Sequence, residues 1–135
     1  MIDSPNDIMR GSDFVIPLAI LLVVVVISFF ISRGNMKEAQ FDMDGYPTDE
    51  TLETVRTWED LSFEGQVALL DYVRDAWNTD IGAVRIEAET YVFITGGWSG
   101  NEELIYALED NTMFWMLCWY KSQRGGYYEF IPRPT

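Results

Sequence analysis

The sequence predicts an α+β protein, in which one N-terminal transmembrane helix precedes a small domain of helices packed on a short, mainly antiparallel sheet with a C-terminal hairpin. Three observations predict this fold class: an uncharged apolar run over residues 14–32, apolar residues at helical spacing after residue 62, and alternating residues over 84–95. The predicted division is a short acidic tail (1–13), the transmembrane helix (14–32), a linker (33–47) and a small soluble α+β domain (48–135).

The apolar run reads FVIPLAILLVVVVISFFIS, which as a helix would measure about 28 Å, close to the thickness of a hydrocarbon core. A cleaved signal peptide would begin with a basic region, but the residues before the run include three aspartates and only Arg10. We therefore expect a retained single-pass anchor. Arg33 and Lys37 follow the run, so the positive-inside rule favours a domain in the cytoplasm.

Three helices are predicted after the linker. Thr48 can cap a short helix that continues to about Leu61, and Ser62 can cap a second helix over residues 62–78, whose apolar residues recur every three or four positions. A third helix is predicted over residues 99–111, with Ser99 and Glu102 as an S-x-x-E capping box.

The strands are predicted in two regions. Residues 84–95 (VRIEAETYVFIT) alternate and predict one strand or two short ones, ended by Gly96 and Gly97. Residues 113–120 (MFWMLCWY) and 127–131 (YYEFI) flank the loop KSQRGG, which predicts a hairpin. Both faces of MFWMLCWY are apolar, so this predicted strand needs a cover on each side.

Composition excludes several classes of function. The chain of 135 residues has 9 Lys and Arg against 22 Asp and Glu, a formal net charge of -13, so no basic surface exists for nucleic-acid phosphates. It has no histidine, which removes the commonest general base and zinc ligand. The single cysteine, Cys118, cannot form an intrachain disulfide. No cofactor, metal site or catalytic residue is predicted.

Three local motifs resemble ligand or catalytic sites, but a purely structural interpretation is favoured for each. Asp42-x-Asp44-Gly45 resembles part of a calcium loop, but the position that needs a bidentate Glu is Thr51, so an acidic linker is favoured. Residues 96–101 (GGWSGN) could cradle an anion, although a turn and helix cap is favoured because two glutamates follow. Asp71 and Asp75, four residues apart, fit a solvated helix face.

Aromatic residues are the remaining candidates for function. The candidate aromatic side chains are Trp98, Trp115, Trp119, Tyr127 and Tyr128. Such side chains anchor protein interfaces, although in a small domain most belong to the core. The predicted interaction surface comprises Trp98, Trp115, Trp119, Arg124 and Tyr127.

The second half of the chain resembles a known family. The string GGWSGNEELIYALEDN at residues 96–111, followed by Met113-Phe114-Trp115, Cys118-Trp119 and RGGYY with Phe130, is similar to a family of small bacteriophage proteins of uncharacterised function. The likeness extends weakly to residues 69–77. Tyr127 stands where that family is expected to have His. The resemblance implies a phage source and no particular chemistry.

These observations predict a membrane-anchored phage protein, located in the host inner membrane or a virion membrane, that acts as a protein-interaction module rather than as an enzyme. Its partners would be the membrane, through residues 14–32, and a protein or a second copy of the chain. One alternative is a lysis or host-takeover effector of the holin or exclusion type. The other is a carboxylate-dependent enzyme using Glu87, Glu89 or Glu102.

Overall fold

The computed structural model describes residues 17–34 and 37–135, and for residues 28–34 it describes the backbone alone. The chain divides into two compact units, Met1–Lys37 and Glu38–Thr135. The predicted acidic tail (1–13) and the first residues of the predicted transmembrane segment lie outside the described residues.

The predicted transmembrane helix is wrong. Helix α1 spans Leu18–Gly34, 17 residues that begin directly after Pro17. At 1.5 Å per residue it measures about 26 Å, whereas a spanning helix needs about 20 apolar residues. Within residues 17–34 and 37–135, none of the helices combines the length and the apolar character that crossing a membrane requires. The predicted single-pass membrane localisation, with its orientation, depended on this helix and is therefore also wrong.

Two helices open the second unit, and both predicted caps form. Helix α2 spans Asp49–Arg56, and the Thr48 side chain accepts a hydrogen bond from the backbone N–H of Thr51. Helix α3 spans Phe63–Asp75, and Ser62 accepts from the backbone N–H of Gly65. Both helices are shorter than predicted, because each ends in turns before the next element.

Residues 38–47, placed in the linker by the sequence, make specific contacts with the domain. Phe41 and Pro47 form an isolated antiparallel bridge. The backbone N–H of Gln40 donates to Thr51 Oγ1 (2.8 Å), and Thr51 Oγ1 donates back to the Gln40 carbonyl (2.9 Å). This pair of bonds holds the segment against the start of α2.

The sheet has four antiparallel strands in the order β1-β2-β4-β3. The alternating segment forms two strands, β1 (Ala83–Glu87) and β2 (Thr90–Ile94), which turn at Ala88, where φ is +55°. The predicted C-terminal hairpin is present as β3 (Trp119–Gln123) and β4 (Tyr127–Phe130). Because β4 pairs with β2, the hairpin extends the first pair into one sheet.

Helix α4 spans Ser99–Asp110, close to the predicted bounds, but the predicted capping box is wrong. Trp98 occupies the N-cap position and no side chain caps the helix. Ser99 lies inside the first turn, and its hydroxyl donates to the Tyr46 hydroxyl oxygen (3.4 Å). Glu102 therefore has no N-cap serine to pair with.

The predicted strand over residues 113–120 is also wrong. Residues Thr112–Cys118 form helix α5, and β3 begins only at Trp119. The Asn111 side chain starts this helix by accepting from the backbone N–H of Phe114 (3.3 Å). Apolar, aromatic residues favour a strand locally, so the cap and tertiary packing decide the outcome. Phe114 and Cys118, four residues apart, are buried on one side of the helix.

The core lies between the helices and one face of the sheet. Tyr91, Phe93 and Phe130 supply the sheet face, and they belong to one buried cluster with residues of α2 to α5. Among the buried polar side chains, Gln66 is fully satisfied: it donates to the carbonyls of Leu61 (2.7 Å) and Arg133 (3.0 Å) and accepts from the Arg133 N–H (2.7 Å). Gln66 thereby fixes the C-terminal segment to α3.

Candidate functional site

The two motif segments singled out in the sequence meet at one end of the sheet. The backbone N–H of Thr95 donates to the Gly126 carbonyl (2.9 Å), which joins the glycine turn after β2 to the turn between β3 and β4. Gly126 has φ +77°, and a Cβ there would lie 2.0 Å from Thr95 Oγ1. Only glycine permits this close approach without displacing the buried Thr95 side chain.

The glycine turn after β2 is occupied by its own hydrogen bonds. The N–H of Gly97 donates to Thr95 Oγ1 (3.3 Å), and the N–H of Trp98 donates to the Thr95 carbonyl (3.3 Å). Asn101, which is fully buried, donates to the carbonyls of Asn78 (3.1 Å) and Thr95 (3.2 Å) and accepts from the Asn78 N–H (2.9 Å). These bonds support the turn interpretation of GGWSGN over anion binding.

Trp98 packs beside this glycine turn, against Tyr46 and Gly100. Its ring centroid lies 4.7 Å from that of Tyr46, and its ring covers Gly100, where a Cβ would lie 2.3 Å from the ring. Trp98 is half-buried. Its contacts hold residues 38–47 against the start of α4.

Trp115 and Trp119 belong to a different and more exposed place. Their rings are stacked, with centroids 5.9 Å apart and 12° between the planes. Trp115 also meets the Tyr128 ring edge-on at 6.5 Å, and Tyr128 lines one cavity together with Tyr106. The four side chains form a continuous surface, here called the aromatic row: Tyr106, Tyr128, Trp115 and Trp119.

The aromatic row is accessible. Tyr106 is 56% exposed and Trp119 40% exposed, whereas Trp115 and Tyr128 are half-buried beneath them. Helix α5 also exposes Met113 and Met116, the latter by 75%. The rings are fixed by packing at their inner edges and remain free on the outside.

Negative charge borders the row. Glu102, Tyr106 and Glu109 lie on one face of α4, at spacings of four and three residues. Burial raises the pKa of Tyr128, and the negative charges of Glu109 and Glu102 add to this increase. Within the described part of the chain, neither glutamate forms an ion pair.

Tyr127 faces the opposite side of the sheet, where charges are paired. Its hydroxyl donates to Glu129 Oε1, and Lys121 Nζ lies 3.4 Å from the same carboxylate. The hydrogen bond to Glu129 raises the pKa of Tyr127, while the same bond lowers the pKa of Glu129. Arg124 is exposed in the hairpin turn.

The carboxylate motifs are engaged in local structure. Asp71 accepts from the Tyr91 hydroxyl (3.0 Å) and forms an ion pair with Arg74 (3.1 Å). Asp42 Oδ1 accepts from the N–H groups of Asp44 and Tyr46, both at 2.9 Å, which closes the turn that resembled a calcium loop. Across residues 17–34 and 37–135, no three acidic or cysteine side chains are grouped to hold a metal ion.

The five sequence-predicted surface residues thus occupy three places: Trp98 on the structural turn, Trp115 and Trp119 in the aromatic row, and Arg124 and Tyr127 on the hairpin. Sequence reasoning missed Tyr106, and it named Tyr128 as a candidate aromatic residue without including it in the predicted surface. A signal for Tyr106 was present, because an exposed aromatic residue on the polar face of an amphipathic helix is unusual. The sequence could not place Tyr128 beside Tyr106, because β4 and α4 meet only in the folded domain.

No protein-family model, no curated protein and no solved structure matches this chain. The resemblance of its second half to small bacteriophage proteins therefore stays a prediction.

Proposed function

We propose that this protein is an interaction module that binds another protein through the aromatic row and the adjacent methionines of α5. The observation that carries the proposal is a continuous, partly exposed set of four aromatic side chains on a small acidic domain. Aromatic residues and methionine are enriched at the centres of protein interfaces. Tyr and Trp bury a large apolar area for little loss of side-chain freedom.

The charge beside the row favours a different protein over a second copy of the chain. In a symmetric dimer built on this surface, Glu102 and Glu109 of both copies would enter the same interface. Like charges brought together in an interface oppose association. The net charge of -13 adds to this repulsion, so the proposed partner is less acidic than the chain itself.

The lysis-effector alternative loses its basis, because it depended on the membrane helix. The enzyme alternative has no supporting geometry at Glu87, which is exposed and lies 4.0 Å from Arg85. If the phage resemblance holds, the partner belongs to the phage or its bacterial host.

Site-specific photo-crosslinking tests the proposal in the native host cell. A benzophenone amino acid replaces Met116 in the full-length chain, and the matched control carries it at Met43, which is fully exposed but belongs to the turn before α2. We expect a discrete adduct with another protein at position 116 and none at position 43. Equal adducts at both positions, no adduct at all, or an adduct with the mass of two chains would each contradict the proposal.

A further inference from the structure

A small cavity lies at one end of the aromatic row, between α4 and the hairpin of β3 and β4. Its volume is about 30 Å³, and its lining comprises Thr95, Glu102, Ile105, Tyr106, Gly126 and Tyr128. About 10–15 Å³ suffices for one water molecule. The cavity therefore accepts a group the size of one or two waters, such as the head of a single side chain.

The floor of this cavity is fixed by the fold. Thr95 is 1% exposed, and its N–H is bonded to the Gly126 carbonyl. Gly126 cannot carry a side chain, because a Cβ would overlap Thr95 Oγ1. The packing of the hairpin against Thr95 thus excludes a side chain at Gly126 that would fill the cavity.

The walls are rich in oxygen acceptors and carry unbalanced negative charge. Four of the six lining residues have a hydroxyl or a carboxylate: Thr95, Glu102, Tyr106 and Tyr128. In the described residues, the side chains of Glu102, Tyr106 and Tyr128 form no hydrogen bond or ion pair. The groups that raise the pKa of Tyr128 are all uncharged or negative, and no cation opposes them.

On the other face of the same hairpin, the negative charge is balanced by a cation of the chain itself. There Lys121 neutralises Glu129 and lies 5.9 Å from the centre of the Tyr127 ring. A tyrosine, a carboxylate and an ammonium group are all supplied by the chain itself on that side. Beside Tyr128 the tyrosines and the carboxylates are present, but the described chain provides no cation.

We propose that the cavity receives the ammonium group of a lysine side chain from the partner protein. An ammonium group has three donors for the acceptors of the lining, is attracted to aromatic faces, and forms charge-assisted bonds to a carboxylate. The compact ammonium group suits so small a cavity better than the planar guanidinium group of arginine, which has four heavy atoms. This inference rests on the proposed function, and it identifies the partner as one that presents an exposed lysine beside an apolar patch.

The test is an NMR titration of the ¹⁵N-labelled full-length chain with Nα-acetyl-lysine-N-methylamide. We expect saturable shifts of the Gly126 and Tyr128 backbone N–H signals. The norleucine analogue, which lacks the ammonium group, should leave these signals unchanged. Glu102→Gln should weaken lysine binding by on the order of tenfold, since a charge-assisted bond becomes a neutral one. The matched control Glu103→Gln, one residue away and exposed, should change it less than about twofold.

The outcomes separate this inference from the proposed function. If the lysine analogue causes no shift while the Met116 crosslink forms, the cavity inference is overturned and the interaction module stands. If the lysine analogue binds but Met116 gives no crosslink, the proposed function fails and the cavity remains an ammonium site. Equal binding of the arginine analogue, or equal effects of Glu102→Gln and Glu103→Gln, would also overturn the assignment to lysine.

Discussion

Asn101 and Glu102 are consecutive residues of α4, yet the fold treats them in opposite ways. Asn101 is fully buried, and its amide makes three hydrogen bonds that join the turns before β1 and after β2. The Glu102 side chain makes no such bond among the described residues, and it lines an open cavity beside Tyr106 and Tyr128. Asn101 therefore stabilises the fold, whereas the Glu102 side chain contributes no hydrogen bond to it.

The same division applies to the whole molecule. The buried side-chain amides are satisfied by the chain itself: Gln66 bonds to Arg133, and Asn111 donates to the carbonyls of Val55 (3.0 Å) and Trp58 (3.1 Å). The buried indole nitrogen of Trp58 is the exception among the described residues, because it has no hydrogen-bond partner. The aromatic row and the glutamates beside it have no such partners. Groups of the first kind are expected to matter for stability, and groups of the second kind for binding.

Asn101→Ala should give the largest loss of stability. It removes three hydrogen bonds and leaves the partly buried N–H of Asn78 without a partner. The carbonyls of Asn78 and Thr95 keep the bonds from the N–H groups of Gly82 and Trp98. With about 1–3 kcal/mol for the unsatisfied N–H and about 0.5–1.5 kcal/mol for each of the other two hydrogen bonds, we expect a loss of about 3–4 kcal/mol. Urea unfolding of the full-length chain, followed by circular dichroism, measures it. A loss no greater than that of Glu103→Ala, an exposed control on the same helix, would break the comparison.

Gly126→Ala should be nearly as costly, and Gly125→Ala provides the matched control. Both glycines have positive φ (+77° and +97°), so alanine is strained at either position by about 1–2 kcal/mol. Only at Gly126 would the new Cβ also overlap Thr95, which should add about 1–3 kcal/mol. Thermal unfolding should therefore show a lower midpoint for Gly126→Ala than for Gly125→Ala. Equal midpoints would mean that the hairpin shifts freely away from β2.

Cys118 should make stability depend on alkaline pH. Burial raises the pKa of its thiol to about 12, although the nearby Arg133 partly opposes this shift. The unfolded thiol ionises near pH 9, so the stabilisation is complete below that pH. It is lost as pH rises from about 9 to 12, at up to about 1.4 kcal/mol per pH unit. Between pH 9 and 10, Cys118→Ser should show a shallower loss of unfolding free energy than the original chain. Parallel slopes would show that the thiol is not protected as its bond to Gln66 (3.1 Å) implies.

Glu102→Gln and Trp119→Ser should have the smallest effects on stability. Glu102 has no ion pair in the described part of the chain, and Trp119 is 40% exposed at the start of an edge strand. We expect Glu102→Gln to change the unfolding free energy by less than about 0.5 kcal/mol and Trp119→Ser by about 1 kcal/mol, through its lost stacking on Trp115. Differential scanning calorimetry measures both. If either substitution lowered the unfolding free energy nearly as much as Asn101→Ala, that residue would be essential for the fold instead.

Local signals in the sequence predicted the elements with clear caps or periods. Thr48 and Ser62 cap their helices as expected, and the alternating residues 84–95 form strands. The strand prediction for residues 113–120 failed because an all-apolar run has no period that distinguishes a helix from a strand. There the deciding contacts are long-range, such as the bonds that Asn111 makes to α2.

The membrane prediction failed for a different reason. The uncharged apolar run has nineteen residues from Phe14, but helix α1 begins only after Pro17 and has 17 residues. The candidate surface was predicted in part: Trp115 and Trp119 were included, and Tyr128 was a candidate. Tyr106 was missed, because it lies on α4, which meets β4 only in the folded domain. Asn101, whose amide joins Asn78 and Thr95, gave no sequence signal beyond its place in the GGWSGN string.

The most direct test of the aromatic row combines the crosslinker at Met116 with the substitution Trp119→Ser in the full-length chain. We expect the adduct with the partner protein to fall at least tenfold while the unfolding midpoint changes little, because Trp119 supplies interface area rather than core packing. The same crosslinker combined with Trp98→Ser, which alters the structural turn, should retain the adduct wherever the chain remains folded. An undiminished adduct in the Trp119→Ser chain would contradict the assignment of the aromatic row as the interaction surface.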